Sequence, residues 1–270
     1  MKRQLISNRL HPNAGIMAWY ARQLRKLSRE MTKECRKVLK EIYSRGSEGI
    51  SFDESLSSQA RIALNQLMQK YGDKFSDRAK KLAQSLIKKT DRYSNGQVKQ
   101  ALNDMLGDKA KNFSFSGSAI SAEKADTLKA LLFENVSLIK SIPNEYFKQI
   151  TGAVARSIEN GNGISWLASE IKKYGYSTER RAQLIAQDQT RKAYNSINLR
   201  NFQEAGIRKF KWLHSGGAAH PREYHRAVLN GHVYDMDDPP VIDPKTGEKG
   251  FPGQLPYCRC VMCAVLSFEE

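Results

Sequence analysis

The sequence is short of several features that would decide its class directly. It has no apolar run near the roughly 20 residues that a membrane-spanning helix needs, and its first residues, Met1–Asn8, lack the apolar stretch of a signal peptide. Four cysteines in 270 residues make a disulfide framework improbable. No P-loop, Gly-x-Ser-x-Gly or His-Glu-x-x-His motif is present. We therefore expect a soluble protein without a membrane partner and without the common catalytic motifs.

The chain does have enough apolar residues for buried cores, because 40% of its residues are hydrophobic and 9% are aromatic. Its length favours two domains, since a typical domain takes roughly 100 to 200 residues. Residues 112–118 are small and polar apart from two phenylalanines. We predict a basic helical region over residues 1–118 and a second domain over residues 119–270. The helices of the second domain should extend to about residue 206, followed by a small loop-rich module that contains β-strands.

The net charge of +16 is concentrated in the N-terminal half. Residues 1–113 carry 24 Lys and Arg against 11 Asp and Glu, a net charge of +13, whereas residues 114–270 carry 20 against 17, a net charge of +3. A positive field of this size attracts polyanions. We expect the N-terminal helices to contact double-stranded DNA without sequence preference, or otherwise an acidic protein surface.

Hydrophobic periodicity predicts a mainly helical chain. Apolar residues recur every three or four positions over 14–45, 55–89, 98–106, 121–159, 164–173 and 179–205. Polar or glycine-containing segments are predicted to end helices at 46–49, 94–96, 160–163 and 174–175. The alternation of Phe210 and Trp212 then predicts a strand, and an apolar run over 261–268 closes the chain. The predicted fold class is mainly α, with a small C-terminal α+β module built on a hairpin or a short antiparallel sheet.

Histidine and cysteine, scarce elsewhere, are concentrated near the C-terminus. Residues 214–270, about a fifth of the chain, hold four of its five histidines and three of its four cysteines. On an extended strand, side chains two positions apart share a face, so Cys258 and Cys260 should project together while Cys263 faces away. Two thiolates joined by His225 and one further histidine would supply the ligands of tetrahedral zinc.

The sequence leaves more than one candidate for the fourth ligand of such a site. We predict His232, with His214 or His220 as the alternatives. A structural zinc ion would hold together loops that have little core of their own, because the free energy of metal binding becomes free energy of folding. The competing interpretation is that the cysteines are small buried residues and that the histidine at position 225 is a hydrogen-bonded packing residue.

Several short motifs occur in an order that resembles a known family. They are Ile185-Ala-Gln-Asp-Gln-Thr190, Asn195, Ala205-Gly206, Trp212, Arg222, His225, Leu229-Asn-Gly231, Pro252-Gly253 and Pro256-Tyr-Cys258-Arg-Cys260. Over about residues 140–266 this set resembles the phage Mu F-like head-morphogenesis family, the minor capsid proteins of tailed phages. The most specific part is the pairing of Arg-x-x-His with the downstream Pro-x-Cys-Arg-Cys.

The resemblance implies a non-enzymatic minor head protein. Such a protein would be made in the host cytoplasm and incorporated in the procapsid, in the capsid interior or at the portal vertex. Its partners would be the portal protein and the major capsid or scaffolding protein, with several copies in each particle. Whether it leaves the particle with the DNA stays open.

Two other classes of function compete with this interpretation. A nuclease or toxin-like effector carried in the virion would use the concentration of His220, Arg222, Glu223 and His225, since these are residue types that cleave phosphodiesters. Four neighbouring loop residues cannot all converge on one substrate, however, so we expect no enzyme. A non-specific DNA-binding protein of the cell would explain the basic N-terminal half alone.

Overall fold

In the described part of the chain, one short strand precedes four long helices, and five strands follow them. The computed structural model describes residues 3–47, 55–107, 115, 120–216 and 221–268. The helices are α1 (Ala14–Ser47), α2 (Leu56–Leu106), α3 (Ala122–Glu159) and α4 (Ile164–Glu204). The strands are β1 (Arg3–Ile6), β2 (Lys209–Leu213), β3 (Val233–Asp235), β4 (Val241–Asp243), β5 (Glu248–Lys249) and β6 (Val261–Phe268). A π-helical turn, His225–Leu229, lies between β2 and β3. The predicted class, mainly α with a small β-containing C-terminal region, is confirmed.

The chain packs as two compact units, each assembled from separate stretches of sequence. The first, which we call the sheet unit, comprises residues 1–17, 85–131 and 187–270. The second, which we call the helical unit, comprises residues 18–84 and 132–186. These units group residues by packing, whereas the boundary near residues 112–118 was inferred from composition and charge. Apart from Phe115, that segment lies outside the described residues, and the boundary stays a prediction.

The helical unit buries most of the apolar stripe predicted for α1. Tyr20, Leu24, Leu27, Met31 and Cys35 are buried as predicted. Towards the end of the helix the predicted Val38 and Ile42 are only half-buried, and the neighbouring Leu39 and Tyr43 are buried instead. Helices α1 and α2 run antiparallel, because Glu30 accepts a hydrogen bond from Lys74 at 2.8 Å and Glu34 accepts one from Lys70 at 2.6 Å. None of the helices in the described ranges combines the length and the apolar character that crossing a membrane requires.

In the sheet unit, four antiparallel strands form one sheet in the order β1-β6-β2-β3. Phe210 and Trp212, the alternating aromatics of β2, are fully buried and lie opposite Ala264 and Met262 of β6. Strand β1 was not predicted from the sequence. It pairs with β6, so that residues near the two ends of the chain are neighbours in the sheet. Strands β4 and β5 form a separate two-stranded sheet.

Two predicted helix breaks were wrong, since α2 continues through residues 94–96 and α4 continues through residues 174–175. Ser94 is buried and accepts a hydrogen bond from the Asn201 side chain at 2.7 Å, so its hydroxyl is satisfied by α4 and does not compete with the backbone. Gly175 faces Thr32, where a Cβ atom would lie in ordinary contact at 3.5 Å. Tertiary packing therefore outweighs the weak helix propensity of these residues.

A lysine is buried inside the sheet unit. Lys124, on the first turns of α3, has no exposed surface. Its ammonium group donates a hydrogen bond to Asn201 at 2.6 Å and forms ion pairs with Asp91 at 3.0 Å and Glu204 at 3.6 Å. Ser121 caps the start of α3, because its hydroxyl accepts a hydrogen bond from the backbone N–H of Lys124. One cation thus links α2, α3 and α4.

Candidate metal centre

The histidine of the candidate site is held at the start of the π-helical turn. His225 is 2% exposed, and its ring packs edge-on against Trp212 with the ring centroids 5.1 Å apart. Its Nε2 lies 2.9 Å from the carbonyl oxygen of Ile242, a residue of β4. Because a carbonyl can only accept, Nε2 carries the proton and Nδ1 has a free lone pair when the ring is neutral. The fold therefore fixes both the orientation and the tautomer of this ring.

The two cysteines lie in the segment between the turn at residues 256–257 and β6. Cys258 and Cys260 are 4% and 3% exposed. Both sulfurs face Nδ1 of His225, at 3.6 Å from Cys258 and 3.8 Å from Cys260. The predicted projection of these two cysteines to one side is confirmed, although they precede the strand.

These three side chains form a group that could hold a metal ion. One nitrogen and two sulfur atoms lie within 4.8 Å of one another, and all three residues are buried. Among the described residues, no other group of three His, Cys, Asp or Glu side chains meets this condition. The sequence interpretation therefore selected the same three residues that the fold brings together.

The electrostatics of the sulfur pair favour one thiolate. The Cys260 thiol donates a hydrogen bond to the sulfur of Cys258, which holds the pKa of Cys258 below its usual range. The same hydrogen bond raises the pKa of Cys260, and burial raises it further. The thiolate is the form in which a cysteine binds a metal ion.

The other sequence candidates lie elsewhere or at the edge of the group. The structure does not include His232 in the metal-holding group; its carbonyl accepts a hydrogen bond from the backbone of Trp212, and its ring lies near Tyr234. His214 lines the same small cavity as the three clustered residues. His220 lies outside the described residues. Cys263 faces away, as predicted, with its thiol 3.7 Å from the carbonyl of Asn8.

Helix α4 holds the cysteine segment at two points, a feature that the sequence interpretation missed. Asp188 accepts a hydrogen bond at 2.5 Å from the backbone N–H of Tyr257, a residue with a positive φ of 60°. One helical heptad further on, Asn195 donates to the carbonyl of Cys260 at 3.3 Å. Residues seven apart lie on the same face of a helix, so the spacing of Asp188 and Asn195 was the sequence signal from which a shared contact surface could have been inferred. These two contacts hold the backbone at Tyr257 and at Cys260 and so fix its path through the two cysteines.

Gly253 shows how tightly this segment packs against α4. Its φ is +84°, a region that residues with a Cβ rarely adopt. A Cβ atom at this position would also lie 2.1 Å from the side-chain nitrogen of Asn195. The glycine therefore serves both the turn before the cysteines and the close approach of α4.

Comparison with known proteins finds a family that this region resembles. Residues 148–263, a little under half of the chain, match the family described as Phage Mu protein F like protein. The resemblance to the Mu F-like family is confirmed over this stretch. The match includes the helix face that carries Asp188 and Asn195, and it includes all three residues of the candidate metal centre.

A relative extends the similarity beyond the family match. The chain is 29% identical over 254 residues to an uncharacterized protein of Haemophilus influenzae. The alignment covers 93% of this chain and 54% of that protein, so the chain spans about half the length of the curated relative. No solved structure matches the chain.

Proposed function

We propose that the protein is a minor head protein of a tailed bacteriophage, incorporated in the procapsid at the portal vertex or in the capsid interior. The Mu F-like match over residues 148–263 is the observation that carries this proposal. Within this stretch His225, Cys258 and Cys260 are buried together, which favours a structural role for them over a catalytic one. The proposed role is structural, with several copies contacting the portal and the capsid or scaffolding protein.

Co-assembly with head proteins tests the proposal. The chain is produced together with the portal, capsid and scaffolding proteins of its phage, and the procapsids are purified by sedimentation. We expect the protein to co-sediment with procapsids that contain the portal and to be lost from particles assembled without it. A protein that stays outside the particles under both conditions would contradict the proposal.

A nuclease assay separates this role from that of a virion-carried effector. We expect no cleavage of duplex DNA or RNA in the presence of zinc or magnesium. Cleavage that disappears in His225→Ala would establish a catalytic role for the cluster and overturn the structural proposal.

We also propose that His225, Cys258 and Cys260 bind a zinc ion. Zinc lies about 2.3 Å from cysteine sulfur and about 2.0 Å from histidine nitrogen, so a tetrahedral site separates nitrogen from sulfur by about 3.5 Å. The distances of 3.6 Å and 3.8 Å from Nδ1 to the two sulfurs fit that separation. The hydrogen bond from Nε2 to Ile242 supplies the outer support that metal-binding histidines usually have. Zinc would then join the π-helical turn to the segment before β6.

DNA contact is proposed for the exposed face of α1. Helical geometry places Arg22, Lys26, Arg29, Lys33, Arg36 and Lys40 on one face, opposite the buried stripe, and all six are exposed. One of them, Arg29, is engaged by Glu179 at 2.7 Å. From first to last the row extends about 27 Å at 1.5 Å per residue, which is long enough to follow several phosphates.

Salt dependence tests this surface. In Arg22→Gln/Lys26→Gln/Lys33→Gln, we expect the slope of log affinity against log salt to fall by about 2.7, since each phosphate contact contributes about 0.9. Fluorescence anisotropy on a duplex of arbitrary sequence measures the slope. A matched variant replaces three exposed lysines of α3 and α4, Lys140, Lys148 and Lys172, and should change the slope by less than about 1. Equal effects of the two variants would contradict a site on α1.

A further inference from the structure

The three clustered ligands border a cavity that can take one small additional ligand. The cavity has a volume of about 20 Å³ and is lined in part by His225, Cys258 and Cys260. That volume suffices for one water-sized group, since a site for water needs roughly 10 to 15 Å³. A tetrahedral metal held by three protein ligands has one position left, and such a position is the usual mark of a zinc ion that exchanges ligands.

His214 lines this cavity in a state suited to donate a hydrogen bond. Its Nδ1 accepts a hydrogen bond from the backbone N–H of Gly216 at 3.1 Å. The proton of the neutral ring therefore lies on Nε2, which makes that atom a donor and not a metal ligand. The backbone of His214 is also held in place. Its backbone N–H donates a hydrogen bond to the side chain of Asn230 at 2.9 Å, and its carbonyl accepts one from the side chain of Arg9.

The charge of the cavity wall favours an anion. Arg222 and Arg259 both line the cavity, and Arg222 is fixed by a hydrogen bond at 3.0 Å to the carbonyl of Pro256. No Asp or Glu belongs to the wall among the residues that the structure describes. A zinc ion with two thiolates is neutral overall, so the guanidinium group of Arg222 makes this side of the site positive.

We infer that the metal keeps an exchangeable fourth position that binds an oxyanion such as inorganic phosphate. One bound oxygen would lie in the small cavity and the rest of the anion outside it; His214 would donate a hydrogen bond to the bound oxygen, and Arg222 would balance the charge of the anion. This inference rests on the proposed zinc site and assigns that site a ligand. It also replaces His232 and His214 as candidates for the fourth protein ligand.

Cobalt substitution tests the inference on the full chain. Co²⁺ replaces zinc, and the thiolate-to-cobalt charge-transfer band reports whether the protein ligands are in place. The d–d bands report the fourth ligand. We expect a saturable shift of the d–d bands on titration with inorganic phosphate, while the charge-transfer band persists. In His214→Ala the phosphate dissociation constant should rise about tenfold, because a hydrogen bond to a charged group is lost. His232→Ala is the matched control and should bind phosphate as the unmodified protein does.

The outcomes distinguish the two levels of the proposal. A charge-transfer band with d–d bands insensitive to phosphate would leave the metal site standing and overturn the exchangeable position. If, in the absence of phosphate, the d–d bands of His220→Ala differed from those of the unmodified protein, His220 would be the fourth ligand. That result would also overturn the exchangeable position. Absence of any charge-transfer band would overturn the metal site itself and the inference with it.

Discussion

Cys258→Ser is expected to lose the bound zinc and to lower the unfolding temperature by about 10 °C. A ligand that binds only the folded state stabilises it by about 4 kcal/mol when its free concentration exceeds Kd about 1,000-fold. For a domain of about 150 to 250 residues, each kcal/mol corresponds to about 2 to 4 °C. Elemental analysis of protein prepared without chelator measures the metal, and circular dichroism measures the unfolding temperature.

The effect of the serine itself is separated from that of the metal in two ways. A chelator should lower the unfolding temperature of the unmodified protein by a similar amount and should have no effect on Cys258→Ser. Cys263→Ser is the matched control, since this cysteine is also buried but faces Asn8, and it should keep one equivalent of zinc. Unmodified protein with less than about a tenth of an equivalent would refute the zinc proposal, because a structural site should remain loaded.

Lys124→Met is expected to lower the free energy of unfolding by about 3 kcal/mol. The substitution keeps most of the side-chain volume but leaves Asp91 and Glu204 without the cation that lies between them. Removal of one partner of a buried ion pair costs roughly 3 to 5 kcal/mol. The lower end applies here, because the two carboxylate side chains are 24% and 16% exposed. Urea denaturation followed by circular dichroism measures the change.

Lys129→Met provides the comparison on the same helix. Lys129 pairs with Asp126 at 3.0 Å, but both side chains are about three-quarters exposed. Exposed ion pairs contribute about 0 to 1 kcal/mol, so this variant should unfold almost as the unmodified protein does. If both variants had the same small effect, the buried lysine would not be the link between α2, α3 and α4 that its contacts indicate.

The candidate site was predictable to the extent that local geometry determines it. The spacing of Cys258 and Cys260 implied a shared direction, and the confirmed Mu F-like resemblance included His225 as well. The position of His232 was beyond such reasoning, since its placement depends on which strands pair. Its carbonyl is part of the contact with Trp212, and the sequence contains no direct sign of that pairing.

The fold was predictable where one helix face alone decides the structure. The apolar stripe of α1 satisfied this condition, and the predicted helix was confirmed. The continuation of α2 through residues 94–96 did not depend on one helix face alone, because Ser94 forms a hydrogen bond with Asn201, more than 100 positions away. Strand β1 was missed for the same reason: its four residues carry too short a pattern, and its partner lies at the other end of the sequence.

The pairing of β1 with β6 has a consequence for biosynthesis. Arg3 lies opposite Phe268 and Ile6 opposite Val265, so the sheet joins two segments that are far apart in the sequence and are synthesised at different times. Strand β2 likewise requires β6 as its neighbour. The four-stranded sheet can therefore form only after residue 268 has emerged, and until then the buried side chains Phe210 and Trp212 of β2 lack their neighbours in β6. The helical unit ends at residue 186 and can fold earlier, while the rest of the chain is still being synthesised.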